Sequence, residues 1–313
     1  MKEGFVTIFG GSGFIGRYLV ERLVNKGWRI KIPIRSSSRD QHLKVFGDVG
    51  QVACVSCNFN NKDEIKECVK NADVVINLVG ILTAKKSINF ENIHVGIAKN
   101  ISLACKETLV NKIIHVSAIG ANTKSPSVYL SSKGRGEIAV ISNFDKSIIL
   151  RPSVVFGDED QFLNRFASIA KVSPIIPLIG NGKNLFQPIW VGDVADAIVK
   201  SIDILDSAPR IYELGGPRIW EFKEVLVWLL NTIKLKRKIV SIPSNVSKIL
   251  SYLMMAFPTP PFTPDHVLLL RENNIVTGNI PGLEKFDIMP SPMELKGAAQ
   301  LSRFMYRGGH LNS

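Results

Sequence analysis

Cysteine is scarce in this 313-residue chain, with four residues at 54, 57, 68 and 105. So few thiols exclude a disulfide framework as the source of stability. Cys54 and Cys57 have the spacing of a redox pair, but that motif needs its first thiol at a helix N-terminus. Here both fall in or just after the apolar run 52–55. No histidine and no second close pair completes a ligand set, so ordinary thiols in a reducing compartment, and no metal, are expected. Histidine is nearly as rare, with five residues. His94, His115 and His266 form no cluster along the chain and read as packing or surface residues. No run of 18 apolar residues occurs, which excludes a transmembrane helix. Residues 1–10 lead directly into a strand, so no secretory leader is expected. Acidic residues are in deficit, 27 against 39 basic, giving a formal charge of +12. Such an excess suits nucleic acid, an anionic cofactor or an anionic membrane face. Zinc-finger spacing, the aromatic motif of RNA-binding sheets and a basic helix followed by heptads are all missing, which leaves nucleic acid the weakest of the three.

What is present is a globular composition, 45% apolar and 21% charged. Short apolar runs alternate with helical periodicity. Strands are predicted at 5–9, 28–34, 52–56, 74–79, 113–117 and 147–150. Helices are predicted at 14–26, 63–70, 90–108 and 128–141. This alternation specifies an α/β fold, a doubly wound parallel sheet covered on both faces. Beyond Asp158 the order loosens. A helix at 162–170 is followed by a loop punctuated by Pro174, Pro177, Gly180 and Gly182. Further helices at 191–205 and 221–232 flank a strand at 210–214. The last hundred residues carry Pro243, Pro258, Pro260, Pro261, Pro264, Pro281, Pro290 and Pro292. The expected division is a nucleotide-binding domain at 1–157, rejoined by 186–208. A smaller, irregular C-terminal α/β domain would take 158–185 and 209–313, facing a substrate or partner.

Gly10, Gly13 and Gly16 stand between the first strand and the first helix, the context a dinucleotide-binding turn requires. Gly10 allows the tight turn, Gly13 keeps side-chain bulk from the diphosphate, and Gly16 lets helix and strand approach. Ser12, Phe14 and Ile15 complete the turn, and the free amides at the helix start face the phosphates. An NAD site usually has Asp or Glu at the end of the second strand. Here Arg35-Ser36-Ser37-Ser38-Arg39 follows, with no carboxylate before Asp40. Arg35 offers a fork of donors to a 2′-phosphate and Ser36 a hydroxyl, so NADP(H) is favoured over NAD(H). Arg39 is a weaker member of that set, since a solvated surface arginine reads the same way. Leu78, Val79 and Gly80 close the fourth strand, where Gly80 would let the backbone pass the nicotinamide ribose. Asn58 and Phe59, after the third strand, would meet the adenine. Val116 and Ser117 after the fifth strand, and Pro152 and Val154 around the end of the sixth, complete the expected contacts.

Tyr129 and Lys133 stand four apart at the start of a helix and face the same way. An ammonium beside a phenol favours the phenolate, so such a tyrosine serves as general acid or base near a nicotinamide. Alternatively, Lys133 binds only the ribose hydroxyls, with Tyr129 a retained neighbour. These motifs, G-G-S-G-F-I-G at 10–16, H-V-S-A at 115–118, Y-L-S-S-K at 129–133, L-R-P-S-V-V-F-G at 150–157 and W-V-G-D-V-A-D-A at 190–197, resemble the extended and atypical short-chain dehydrogenase/reductases, which have the Rossmann fold. The resemblance narrows to the family of nucleotide-binding accessory subunits of respiratory complex I and their bacterial relatives. It does so on N-L-V-G-I-L at 77–82, H-V-S-A-I-G-A at 115–121, D-Q-F-L-N-R-F at 160–166, Q-P-I-W-V-G-D-V-A at 187–195 and P-F-T-P-D-H-V-L-L-L at 261–270, spanning nearly the whole chain.

In active members of the superfamily a serine or threonine about two residues past the first serine of the fifth-strand motif assists the tyrosine. That slot looks like Ile119, which cannot donate. Ser117 is present, but its place is structural in many relatives. Eleven residues lie between Ser117 and Tyr129, a short connection. Loss of one such donor costs roughly 3 kcal/mol in enzymes of other classes. The resemblance therefore implies a structural NADP(H), an accessory role with weak or no independent catalysis, and complex I core subunits as partners. It also implies a peripheral place on the cytoplasmic side of a bacterial inner membrane, or the matrix side of a mitochondrial one. A free-standing NADP(H)-dependent reductase or epimerase, linked to ubiquinone synthesis, is the alternative. An uncharged stretch at 249–262 follows the basic group Lys234, Lys236, Arg237 and Lys238. It reads either as core packing of Leu253, Met254, Met255 and Phe257 or as a surface for membrane, quinone, lipid or protein contact.

Overall fold

β-branched and apolar runs too short for a helix form the strands β1 (Phe5–Phe9), β2 (Arg29–Ile34), β3 (Val52–Ser56), β4 (Val74–Asn77), β5 (Lys112–Val116) and β6 (Ser147–Pro152). Interleaved with them are the helices α1 (Phe14–Asn25), α2 (Lys62–Val69), α3 (Ile97–Glu107) and α4 (Val128–Asn143). The computed structural model describes residues 4–35, 47–84, 89–205, 208, 210–254 and 262–305. All strand pairs of the main sheet are parallel, in the order 211–214, β6, β5, β4, β1, β2, β3. The order reverses between β1 and β4, which is where open α/β sheets bind ligands, at the carboxyl ends of their strands.

Contacts divide the chain into two units. The first runs through Pro152 and regains Val191–Leu214 and Gly278–Ile288. The second takes Ser153–Trp190, Gly215–Thr277 and the chain from Met289 onward. The strand Ile211–Leu214, expected in the small domain, is instead the seventh strand of the main sheet, with Ile211 opposite Ile149 and Leu214 opposite Pro152. Within the first unit, α2, α3 and α4 cover one sheet face around Phe9, Val75, Ile113 and Ile149. α1 packs beside the helix Val191–Ser201, and Arg22 pairs with Asp196 at 2.6 Å between them. Burying each such Leu, Ile or Phe contributes about 1.5–3 kcal/mol.

The second unit has its own aromatic core, with the rings of Phe162, Phe166, Phe186 and Phe222 at 5.4–6.3 Å. The segment 174–182, expected as a loop, contains the strand Ile175–Ile179 paired in parallel with Lys238–Ile242. Pro177 is tolerated because the pair has only two strands, so one side of each is a free edge. The long helix expected at 90–108 begins as a π-helical turn, Glu91–Gly96, before α3. Hydropathy periodicity does not distinguish that widened turn from an α-helix.

Candidate dinucleotide site

The glycine turn has the geometry its residues predict. Gly10 has φ +80°, a conformation that favours glycine. A Cβ there would sit 3.0 Å from the Leu78 carbonyl carbon. A Cβ on Gly16 would overlap the carbonyl of Gly11 and come within 2.6 Å of Gly10 O. Gly13 is the exposed N-cap residue of α1, and no side chain caps that end. No acidic residue lies in the first helical turn either, so its amides and the positive end of the helix dipole face the crevice. Ser12, Phe14 and Ile15 are half-buried around it.

The other expected contacts follow successive strands at the same sheet edge. Arg35, exposed, ends β2, while Ser36 and Arg39 lie outside the described residues. Asn58 is exposed after β3, its carbonyl oxygen Oδ1 accepting from the Asn60 amide. Phe59 packs edge-on against Phe9 at 5.6 Å. Leu78 donates its amide to Phe9 O at 2.9 Å, tying the loop after β4 to the end of β1. Asn77 fixes the next residue: its Oδ1 accepts the Val79 amide at 3.0 Å, and its Nδ2 donates to His115 Nδ1 at 3.1 Å. Val116 and Pro152 are buried at the ends of β5 and β6. Val154 belongs to the second unit and packs on its aromatic core.

Ser117 is 4% exposed, and its Oγ has no hydrogen-bond partner among the described residues. A buried hydroxyl without a partner is costly, and one placed beside a binding crevice fits a ligand. Together with a helix start whose amides lack a side-chain cap and glycines that a Cβ would block, it fits a dinucleotide at this edge. Ile119, in the slot of the assisting hydroxyl, is 3% exposed and donates its amide to Pro152 O at 3.0 Å.

Ser127 caps α4 through the Leu130 amide and so sets the start of the helix that carries Tyr129 and Lys133. Gly134 and Gly136 let α4 approach its neighbours: a Cβ on Gly134 would lie 2.8 Å from Asn122 and Thr123 backbone, and one on Gly136 would overlap the His94 carbonyl. Lys133 is buried, and its Nζ donates to Val116 O at 2.8 Å. Burial lowers its pKa to about 8, with the Glu137 carboxylate opposing the shift. Glu137 in turn makes a two-pronged pair with Arg151, at 2.8 and 2.6 Å. Tyr129 packs against Phe90 and His94, ring to ring. The participation of His94 is not visible in sequence, because its partners lie 13 and 38 residues away. Among the described residues no group of three His, Cys, Asp or Glu could hold a metal.

The chain matches the NAD dependent epimerase/dehydratase family over residues 6–215. It is 34% identical to NADH dehydrogenase (ubiquinone) 1 alpha subcomplex subunit 9, mitochondrial, of Mus musculus, across 95% of this chain and 79% of the relative. With the protein of the same name in Arabidopsis thaliana it shares 34% over 98% and 79%. The UDP-glucose 4-epimerase of Thermus thermophilus, solved with NAD, superposes with a TM-score of 0.70 at 17% identity, covering 96% of this chain and 98% of that one. That last likeness establishes the fold alone. The chain belongs to the NAD dependent epimerase/dehydratase family of extended short-chain dehydrogenase/reductases.

Proposed function

We infer that this chain is an NADP(H)-carrying accessory subunit of a respiratory NADH:quinone oxidoreductase, with the cofactor kept for structure and not turned over. The observation that carries this reading is a glycine turn fitted to a dinucleotide beside an incomplete proton-transfer set: the Gly10–Gly16 turn and the Ser117 hydroxyl, unpartnered among the described residues, on one side, buried Ile119 on the other. A nicotinamide dinucleotide supplies hydride chemistry when bound. The residues here bind and orient more than they transfer protons. The amides of α1 would hold a diphosphate, Arg35 would offer a guanidinium where an acidic ribose contact otherwise stands, and Lys133 would bind ribose hydroxyls. The near full-length likeness to the mouse and Arabidopsis subunits supports the assignment to that complex. Tight binding to the folded state alone stabilises a protein by mass action, which gives a cofactor that is never turned over a purpose.

A peripheral position, on the cytoplasmic side of a bacterial inner membrane or the matrix side of a mitochondrial one, follows from this reading. No described helix is long and apolar enough to cross a membrane. Ile249, Tyr252 and Leu253 on the helix Ser244–Met254 are 58–66% exposed, and Lys234, Lys236 and Lys238 are exposed nearby in sequence. Met255 and Phe257 lie outside the described residues. An exposed apolar face with basic neighbours suits contact with a lipid surface or core subunits.

Detergent-solubilised membranes separated on a density gradient test the assignment. The chain should sediment with NADH:quinone oxidoreductase activity and keep its nucleotide through gel filtration. Sedimentation as a free protein would refute it. The retained Tyr129–Lys133 pair favours the second reading, a free-standing reductase. That reading requires quinone-like or sugar-like carbonyl compounds to oxidise the bound cofactor, and Tyr129→Phe to abolish the reaction.

A further inference from the structure

The loop that follows β4 is held from behind by a buried imidazole. His94 lies on the π-helical turn and is 2% exposed. Its Nε2 accepts the Ile81 amide at 3.1 Å, and its Nδ1 lies 2.7 Å from Ser132 Oγ. The amide is an obligatory donor, so Nε2 carries no proton and the neutral ring has its proton on Nδ1. Ser132 accepts that proton's hydrogen bond and spends its own hydroxyl on Tyr129 O at 2.7 Å. The donors therefore run one way, from Ile81 through His94 and Ser132 to the backbone of Tyr129. Phe90 stacks on the ring at 5.4 Å and Tyr129 meets its edge at 5.5 Å. A Cβ on Gly80 would lie 3.6 Å from His94 Nε2 and 3.8 Å from Lys133 Nζ.

We propose that His94 is a positioning residue that locks the 78–81 loop to Tyr129 and Lys133, so that the loop and the helix present one rigid surface to the dinucleotide. The proposal rests on the reading that this crevice takes a dinucleotide. The π-helical turn has its use here: the widened turn carries the ring, while its carbonyl lies where only Gly136 on α4 gives room. Lys133 is the charged group that acts on the ring, the Tyr129 phenol packs on its edge, and His94 in turn acts on the buried His115. A second proton would oppose the Ile81 N–H and place a cation beside Lys133. Burial and then Lys133 hold its pKa down to about 3.

The experiment uses the full chain with 15N-labelled histidine, in the parent and in His94→Ala, His94→Gln and Ser132→Ala. Long-range proton–nitrogen correlation at pH 6 should show His94 protonated on Nδ1 alone. Amide exchange at Ile81 should be slow in the parent and at least tenfold faster in His94→Ala. NADPH titrated into each protein should bind His94→Ala at least tenfold more weakly than the parent. His94→Gln, which keeps an acceptor and a donor at similar reach, should stay within about threefold, and Ser132→Ala should fall between. A proton on Nε2 at pH 6, unchanged Ile81 exchange in His94→Ala, or equal NADPH affinity in parent and His94→Ala would overturn the proposal. If His94→Ala does not fold, the tautomer and the affinity of His94→Gln decide. If the parent takes up no dinucleotide, the functional reading fails by itself, while the tautomer and Ile81 exchange still judge the lock.

Discussion

At the scale of single residues, the proposed preference for NADP(H) rests on Arg35. It stands exposed at the end of β2, where a carboxylate would favour NAD by accepting from ribose hydroxyls. A guanidinium pairs two-pronged with a 2′-phosphate, and a glutamate there would repel it. Arg35→Glu is expected to weaken NADPH at least tenfold while leaving NADH within about threefold, read by fluorescence titration; equal losses for both nucleotides would remove Arg35 from the phosphate contact. Gly10, Gly13, Gly16, Tyr129 and Lys133 were legible in the sequence because their meaning is local, set by spacing within one turn or one helix. His94, Ser132 and Asn77 were not, because each has, beside any local contact, a partner 13 to 38 residues away that only the fold brings near. His94 read as a packing or surface residue; it is buried, and both its ring nitrogens are also hydrogen-bonded. Ser117 carried a position in the motif, yet the missing hydrogen-bond partner that makes it informative appears only in three dimensions.

At the scale of elements, two close approaches bear the site. α1 meets the Gly10–Gly11 turn only because Gly16 has no side chain. Gly16→Ala forces its Cβ against the Gly10 and Gly11 carbonyls, so the turn must shift. The expected cost is about 1–3 kcal/mol in urea unfolding together with loss of dinucleotide uptake; a stable variant that still loads fully would contradict this packing. α4 is joined to β6 by Glu137 and Arg151, whose side chains are 5% and 16% exposed. Glu137→Ala leaves the guanidinium buried without its carboxylate and should cost about 3–5 kcal/mol, with Glu137→Gln costing less. A loss below about 1 kcal/mol for the alanine variant would show that water or Glu213 compensates. The strand and helix order of the first unit was legible because short continuous apolar runs separate cleanly there from the 3.6-residue period of the helices. The π-helical turn was hidden within a helical pattern, and Ile175–Ile179 behind prolines. The place of Ile211–Leu214 in the main sheet was hidden because partner choice is not a local property.

At the scale of the whole molecule, two buried neutral imidazoles make stability depend on pH. Burial, aided by Lys133, holds His94 at about 3 and His115 well below the ordinary 6.5. The unfolded chain takes up both protons below 6.5 and the folded chain does not. Stability is therefore whole above pH 6.5 and declines as pH falls from there, by about 1.4 kcal/mol per pH unit for each ring that stays neutral, which for His94 extends toward 3. Denaturant titrations at pH 7.5 and 5.5 should differ by roughly 2–3 kcal/mol in favour of the higher pH; a difference of about half that would show that one ring is charged in the fold, and equal stability would show that both are. The account as a whole depends on a dinucleotide lying across the carboxyl edge of the main sheet. Mass spectrometry of the native protein, purified without added nucleotide, measures this directly. It should show one equivalent of NADP(H) per chain, lost in a Gly13→Val variant. A parent protein that carries no nucleotide and takes up neither NADPH nor NADH would contradict it.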